Sequence, residues 1–154
     1  MTRVTFLAQL NRKQAWNAMT NGSPAHLLHL SPGASLLGRE WVGFDETTRS
    51  ATLRFEAKPE FANRHGAVMG GFLAAMLDSA TGLCLLAELP PDRTAVTTDL
   101  TTSFVRPASL GILTALARIV TRNERDAIVE AELRDTKGQV VARATATLRI
   151  LPRT

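Results

Sequence analysis

Alternating apolar and polar residues predict a strand-rich chain. In the segment 51–57, Leu53 and Phe55 fall on one side and their polar neighbours on the other, as in a strand with one buried face. The polar turn at 45–49 precedes this segment, and Pro59 follows it, where a central sheet strand cannot continue. Further strands are predicted at 36–44, 94–105, 111–122, 127–134 and 139–151.

Between residues 69 and 89 the apolar period changes to that of a helix. Asp78 lies near the middle of this run, and Pro90 and Pro91 end it. The run is long enough to cross a bilayer, but a central carboxylate costs about 2.5–3.5 kcal/mol there. We therefore interpret it as a helix buried in a soluble protein and expect no membrane association. One predicted stripe consists of Phe72, Met76, Ala80, Leu83 and Leu86, and a second, of small residues around Asp78, consists of Gly71, Ala74, Ala75 and Gly82.

The order of these segments predicts one α+β domain, with an antiparallel sheet wrapped on a single helix. Residues 1–33 are interpreted as a partly helical N-terminal extension, and residues 34–154 as the domain proper. The apolar stretch 4–10 is short and runs into polar residues, so it is a poor signal peptide. A cytoplasmic location is therefore expected.

Composition narrows the function. The 154 residues and 16.7 kDa fit one domain, and the lone Cys84 excludes an internal disulfide and disfavours a cysteine-based zinc site. The net charge of +4 comes from 15 Arg and 3 Lys, which are scattered along the chain, and only eight residues are aromatic. A nucleic-acid surface is therefore not expected. A small phosphorylated ligand fits the arginines better, and a plain basic surface fits them equally well.

Two features of the predicted helix, one at its middle and one at its start, suggest chemistry. Asp78 is an acid among apolar residues, a position that is costly unless the carboxylate is paired or functional. Gly70 and Gly71 leave the backbone amides of a helix N-terminus uncovered, and such amides can stabilise an oxyanion. Both features have plain alternatives, since Asp78 can be a structural acid and the glycines can serve tight packing.

The motifs around the helix, taken together, resemble those of a known family. The pattern Asn63-x6-Gly70-Gly71-x6-Asp78, followed by Val-Thr-Thr-Asp-Leu at 96–100 and Phe-Val-Arg-Pro-Ala at 104–108, resembles the PaaI-like acyl-CoA thioesterases of the hotdog fold. The resemblance covers about residues 36–151. It implies an antiparallel sheet around one long central helix, a homodimer with active sites at its interface that often pairs into a homotetramer, and no metal or redox cofactor.

The resemblance also implies roles for particular residues. Gly70 resembles the amide of the oxyanion hole, and Asp78 resembles the nucleophile or general base that attacks an acyl-CoA thioester. Asn63 resembles the group that orients water or the thioester, and Thr97 resembles the strand hydroxyl near the attacking water. Most relatives carry His where this chain has Met69. Substrate-binding positions near the motif are Met69, Gly71, His65, Arg64 and Arg106, the two arginines being candidates for the CoA phosphates.

Two other functions remain open. The first is a hotdog module that binds acyl-CoA or lipid without turnover, which Met69 supports and the presence of Asp78, Asn63 and Thr97 opposes. The second is a hydratase or dehydratase on the same fold. Those enzymes usually need a catalytic His, and His65 is the only one near the motif.

Overall fold

A computed structural model describes residues 25–154. In this part of the chain, six antiparallel strands form one sheet in the order β1-β2-β4-β5-β6-β3, and one long helix packs against five of the strands. This is the predicted α+β architecture with a wrapped sheet, which is confirmed. The helices are α1 (Ala25–Leu28), α2 (Pro32–Leu36) and α3 (Gly70–Glu88), with a 3-10 turn at Pro59–Phe61. The strands are β1 (Glu40–Asp45), β2 (Ser50–Ala57), β3 (Arg93–Phe104), β4 (Gly111–Arg122), β5 (Asp126–Arg134) and β6 (Val140–Pro152).

Helix α3 has a buried side and an exposed side, and the predicted stripe is buried only in part. Met76, Ala80 and Leu83 are buried, whereas Phe72 and Leu86, at the two ends of the stripe, are half-buried and pack against the core. The predicted small-residue stripe lies on the more open side, where Gly71, Ala75 and Asp78 are exposed. The buried residues of α3 are Leu73, Met76, Leu77, Ala80, Thr81, Leu83, Cys84 and Leu85.

The start of the domain differs from the sequence prediction. The predicted strand 36–44 begins only at Glu40, because Pro32 starts helix α2 and the Ser31 hydroxyl caps it by accepting from the Ala34 amide at 3.3 Å. Gly38 has a φ of +58° between helix and strand, a conformation that glycine adopts without strain. Residues 1–24 of the predicted extension lie outside the described residues.

Helix α3 is long and apolar enough to cross a bilayer. Its buried side chains form one cluster with those of the sheet, so it is the core helix of the domain, as the sequence predicted. At its last turn Glu88 binds Arg49 and Arg122 in ion pairs of 2.5 and 2.9 Å. These contacts fix the end of the helix to the turn before β2 and to β4.

Strand β3 forms one edge of the sheet, and none of its twelve residues is buried. Its pairing with β6 is irregular between Thr97 and Asp99, which lie opposite Leu148 and Thr147. Thr98 is therefore an extra residue, a β-bulge, and it shifts the alternation of side chains by one position.

Candidate active site

The loop before α3 is held by its own backbone and by Asn63. The Oδ1 of Asn63 accepts from the amides of His65 at 2.8 Å and Ala67 at 3.2 Å, and the Asn63 amide donates to the Ala67 carbonyl at 2.7 Å. The Met69 amide donates to Phe61 at 2.8 Å, which anchors the entry to the helix. Asn63 is thus a loop-forming residue in this chain, with its side-chain oxygen already engaged.

The first turn of α3 presents free backbone donors. Met69 is the N-cap, its side chain makes no capping hydrogen bond, and it is 47% exposed. Within residues 25–154, the amides of Gly70 and Gly71 have no hydrogen-bond acceptor. A β-carbon at Gly71 would have no heavy atom within 4 Å, so a ligand can approach this turn closely. Donors at a helix N-terminus are suited to a developing oxyanion.

The ring of Phe104 lies against this turn. A β-carbon on Gly70 would lie 3.0 Å from the Cζ of Phe104, so a larger residue at position 70 requires the ring to shift by a few tenths of an ångström. Phe104 ends β3 and is 56% exposed, and with the Met69 side chain it makes an apolar edge beside the amides. The sequence pointed to Phe104 only as part of a motif, because its contact with Gly70 depends on the face that β3 turns to the helix.

Asp78 lies on the exposed side of α3. The Thr97 hydroxyl donates to its Oδ1 at 2.7 Å, and the Asp78 carbonyl accepts from Thr81 at 3.0 Å. The expectation of a carboxylate buried in the helix is wrong for the single chain, because the sheet covers the opposite side. The carboxylate is therefore oriented by a hydroxyl and still accessible to a ligand.

Within one chain, Asp78 and the Gly70 amide are far apart. They are eight positions apart, which is about 12 Å along a helix axis. In the reaction, the water activated by the acid attacks the carbonyl carbon whose oxygen the amide holds. The reacting atoms are therefore much closer together than the acid and the amide of one chain. One chain therefore carries two halves of a site rather than a whole one.

A further group of side chains lies around the loop. Arg64 and His65 are exposed, and the Arg64 Nε donates to the His65 Nε2 at 3.2 Å. Arg106, in the segment after β3, is also exposed. In the described part of the chain neither Arg64 nor Arg106 forms an ion pair. Two unpaired cations thus lie in the loops at this end of the domain.

Two other groups, Cys84 and Arg39, have structural surroundings that explain them. Burial raises the pKa of the Cys84 thiol to about 12, so this group stays protonated at neutral pH and is not a nucleophile. Burial also lowers the pKa of Arg39, whose guanidinium donates to the Ser79 hydroxyl at 3.3 Å and to the His29 carbonyl at 2.7 Å. No sequence pattern indicates this link between the residue that precedes β1 and the helix turn next to Asp78.

Comparison with known proteins agrees with this geometry. A proposed thioesterase from Ralstonia eutropha JMP134, described as a phenylacetic acid degradation-related protein, is 35% identical, with a TM-score of 0.75 over 80% of this chain and 96% of its own. The PaaI protein of Escherichia coli, from the phenylacetic acid degradation operon, is 20% identical, with a TM-score of 0.77 over 88% of this chain and 96% of its own. It shows the shared hotdog fold.

Two sequence comparisons point the same way. A Saccharolobus solfataricus protein with a proposed esterase activity is 28% identical over 101 residues, 66% of this chain and 71% of its own. The sequence model of the thioesterase superfamily matches residues 65–142, which include the two glycines at the start of α3, Asp78 and all of β3. The chain therefore belongs to the thioesterase superfamily and has its hotdog fold.

Proposed function

We propose that this protein hydrolyses an acyl-CoA thioester to the free acid and CoA. The observation that carries the proposal is that one helix carries both an accessible Asp78 bound by Thr97 and, at its start, backbone amides without an acceptor in the described residues. Membership of the thioesterase superfamily supports thioester hydrolysis in general. The arginines that lack a carboxylate partner support a phosphorylated carrier such as CoA.

The proposed reaction uses a base, a water and an oxyanion hole. Asp78 takes a proton from water while the water oxygen adds to the thioester carbonyl carbon. The Gly70 amide, with that of Gly71 beside it, holds the negative oxygen of the tetrahedral intermediate. The C–S bond then breaks, the CoA thiolate leaves, and the proton on Asp78 passes to the sulfur. Direct attack by the Asp78 carboxylate, with later hydrolysis of the anhydride, uses the same groups.

Other side chains serve binding in this proposal. Arg64 and Arg106, with His65 beside the first, contact the CoA phosphates from the loops on either side of the motif. Met69 and Phe104 form an apolar edge next to the amides, which suits a medium-chain or aromatic acyl group. Asn63 shapes the loop that carries these groups.

A second copy of the chain completes the proposed site. Near one end of β3, Thr97 binds Asp78, and near the other end Phe104 covers Gly70. When two β3 edges pair antiparallel about a two-fold axis near Leu100, the Thr97 end of one lies beside the Phe104 end of the other. This brings each acid to the partner's amides. We propose a homodimer built this way, able to pair into a tetramer, and a cytoplasmic location, which suits the CoA carrier and the free Cys84.

One observation favours a second candidate, a module that binds acyl-CoA without turnover. Met69 is the N-cap residue and places an apolar side chain where a polar one could assist the thioester. Such a module would hold the acyl group and the phosphates and leave the bond intact. The oriented carboxylate of Asp78 has no purpose in binding an apolar chain, and this favours the hydrolase.

The test is a panel of acyl-CoAs, from short to long and including phenylacetyl-CoA, with release of free thiol as the readout. Release of thiol from at least one ester at a rate above that in buffer alone supports the hydrolase. Binding of the same esters by calorimetry with no thiol release would establish the module instead. If no ester in the panel binds and none releases thiol, acyl-CoA is excluded as the ligand.

A further inference from the structure

The β-bulge at Thr98 decides which residues of β3 face the helix. Directly paired residues of neighbouring strands share a face of the sheet, and Leu148 of β6 is buried under α3. Thr97 is paired with Leu148 and therefore faces the helix. By the same reasoning Phe104, paired with the buried Ala142, faces it too.

In a regular strand this arrangement is impossible. Thr97 and Phe104 are seven positions apart, an odd number, and residues at odd separations point to opposite faces. The extra residue at 98 restores the match, so that Thr97 reaches Asp78 and Phe104 reaches Gly70 from one face. The bulge thus lets one strand support both halves of the proposed site.

The hydroxyl of Thr98 holds the bulge in place. Its Oγ1 donates to the Thr147 carbonyl of β6 at 3.1 Å, while Thr98 has no partner of its own in the strand pairing. The side chain thereby replaces a missing contact between the two strands. Since β3 is an edge strand, β6 is its only strand neighbour within the described residues, and the pairing between the two is interrupted at this point.

We propose that Thr98 is a positioning residue, whose hydroxyl fixes the bulge and through it the hydrogen bond from Thr97 to Asp78. The expected effect on kcat rests on the proposed hydrolysis, whereas the expected effect on the position of Thr97 does not. Thr98 does not touch the substrate. Loss of its hydroxyl therefore changes the rate of the chemical step and leaves the binding of the ester largely intact.

The kinetic test compares Thr98→Ala and Thr98→Ser with wild type on the best ester. Because a misplacement of 1 Å can cost about 100-fold, we expect Thr98→Ala to lower kcat about tenfold with KM within about twofold. Thr98→Ser keeps the hydroxyl and should restore kcat. The matched control is Thr94→Ala, on the regular part of the same strand. Unchanged kcat in Thr98→Ala, or an equal loss in Thr98→Ser, would overturn the proposal.

A second readout does not depend on activity. The methyl NMR resonance of Thr97 reports its environment beside Asp78, and we expect it to shift in Thr98→Ala and to stay in place in Thr98→Ser and Thr94→Ala. If wild type releases no thiol from any ester, the proposed function has failed, and this resonance alone decides the positioning role. An unchanged Thr97 resonance in a folded Thr98→Ala protein would overturn it.

Discussion

Phe104 and Gly70 fit each other so closely that a β-carbon at position 70 would lie 3.0 Å from the aromatic ring. The ring belongs to the edge strand and the glycine to the first turn of the central helix. The contact therefore fixes the distance between the strand and the amides proposed to hold the oxyanion. At Gly71 a β-carbon would have no heavy atom within 4 Å, so position 71 has room for a side chain that position 70 lacks.

A first prediction follows for these glycines. Gly70→Ala should push the Phe104 ring aside and lower kcat/KM about tenfold, since it moves the oxyanion donors relative to the strand. In the double variant Gly70→Ala with Phe104→Leu, the clash is relieved and part of the loss should return. Steady-state kinetics on one ester measure both. Equal losses in the single and double variants would show that contact with the ring is not the cause.

The second prediction concerns the acid. Asp78→Asn should lower kcat by about 100-fold or more, because general acid–base groups contribute about 10²–10⁴-fold. The change is nearly isosteric, and the amide can still accept from Thr97, so the fold should persist. The matched control is Asp99→Asn, which removes an exposed carboxylate that accepts from Thr101 on the same strand. Full activity of Asp78→Asn would exclude Asp78 as base or nucleophile.

The bounds of the main elements were predictable from the sequence because strong local signals mark them. Helix α3, predicted at 69–89, runs from Gly70 to Glu88, between a pair of glycines and a pair of prolines. The strands after it begin and end within one or two residues of their predicted limits, since turn residues separate them. Local chemistry fixed these points without help from the rest of the fold.

The details of the site were less predictable, for physical reasons. Threonine is tolerated on both faces of a sheet, so the threonine-rich strand β3 carries no alternation that would reveal the bulge at Thr98. The exposure of Asp78 depends on which side of the helix the sheet covers, which is a tertiary choice. The same holds for the Phe104 ring over Gly70, which joins residues 34 positions apart through two elements.

A third prediction uses the ion pair at the end of α3. The hydrogen bond from Arg49 lowers the pKa of Glu88, with Arg122 adding to it. A carboxyl with a lowered pKa stabilises the folded state above its unfolded pKa, and this stabilisation is lost as the pH falls through the folded pKa. Glu88→Gln should therefore lower the urea midpoint at neutral pH, and the gap to wild type should narrow as the pH falls below the unfolded pKa of Glu, about 4.3. A gap independent of pH would show that the charge of Glu88 is not involved.

The fourth prediction concerns Met69, the N-cap residue in the place of the usual His. The Gly70 amide does not depend on the side chain before it, so Met69→His should fold normally and change kcat/KM or acyl preference only modestly. A large rise from background would instead show that the missing imidazole limits the reaction. The comparison uses wild type and variant on the same ester panel. Identical constants on every ester would show that residue 69 does not face the site.

The last prediction tests whether the active site is shared between two copies. Gly70→Pro removes the amide donor at the first helical position, which accepts proline, and the extended Met69 (ψ 137°) suits a following proline. Its β-carbon meets the Phe104 ring as that of Gly70→Ala does, so Gly70→Ala is the matched control that keeps the amide. Alone, Gly70→Pro and Asp78→Asn should each be nearly inactive. In a dimer of one copy of each, one site holds both defects and the other holds neither. Random mixing by refolding should therefore recover about a quarter of wild-type activity, since half of the dimers are mixed and each has one intact site of two. If Asp78 and Gly70 of one chain served the same site, every site would carry a defect and mixing would recover nothing.

The control for this experiment is the mass of the mixed protein, measured by light scattering. A mass that is a multiple of the 16.7 kDa chain mass shows that copies have associated. Recovery without association, or association without recovery, would each contradict the shared site.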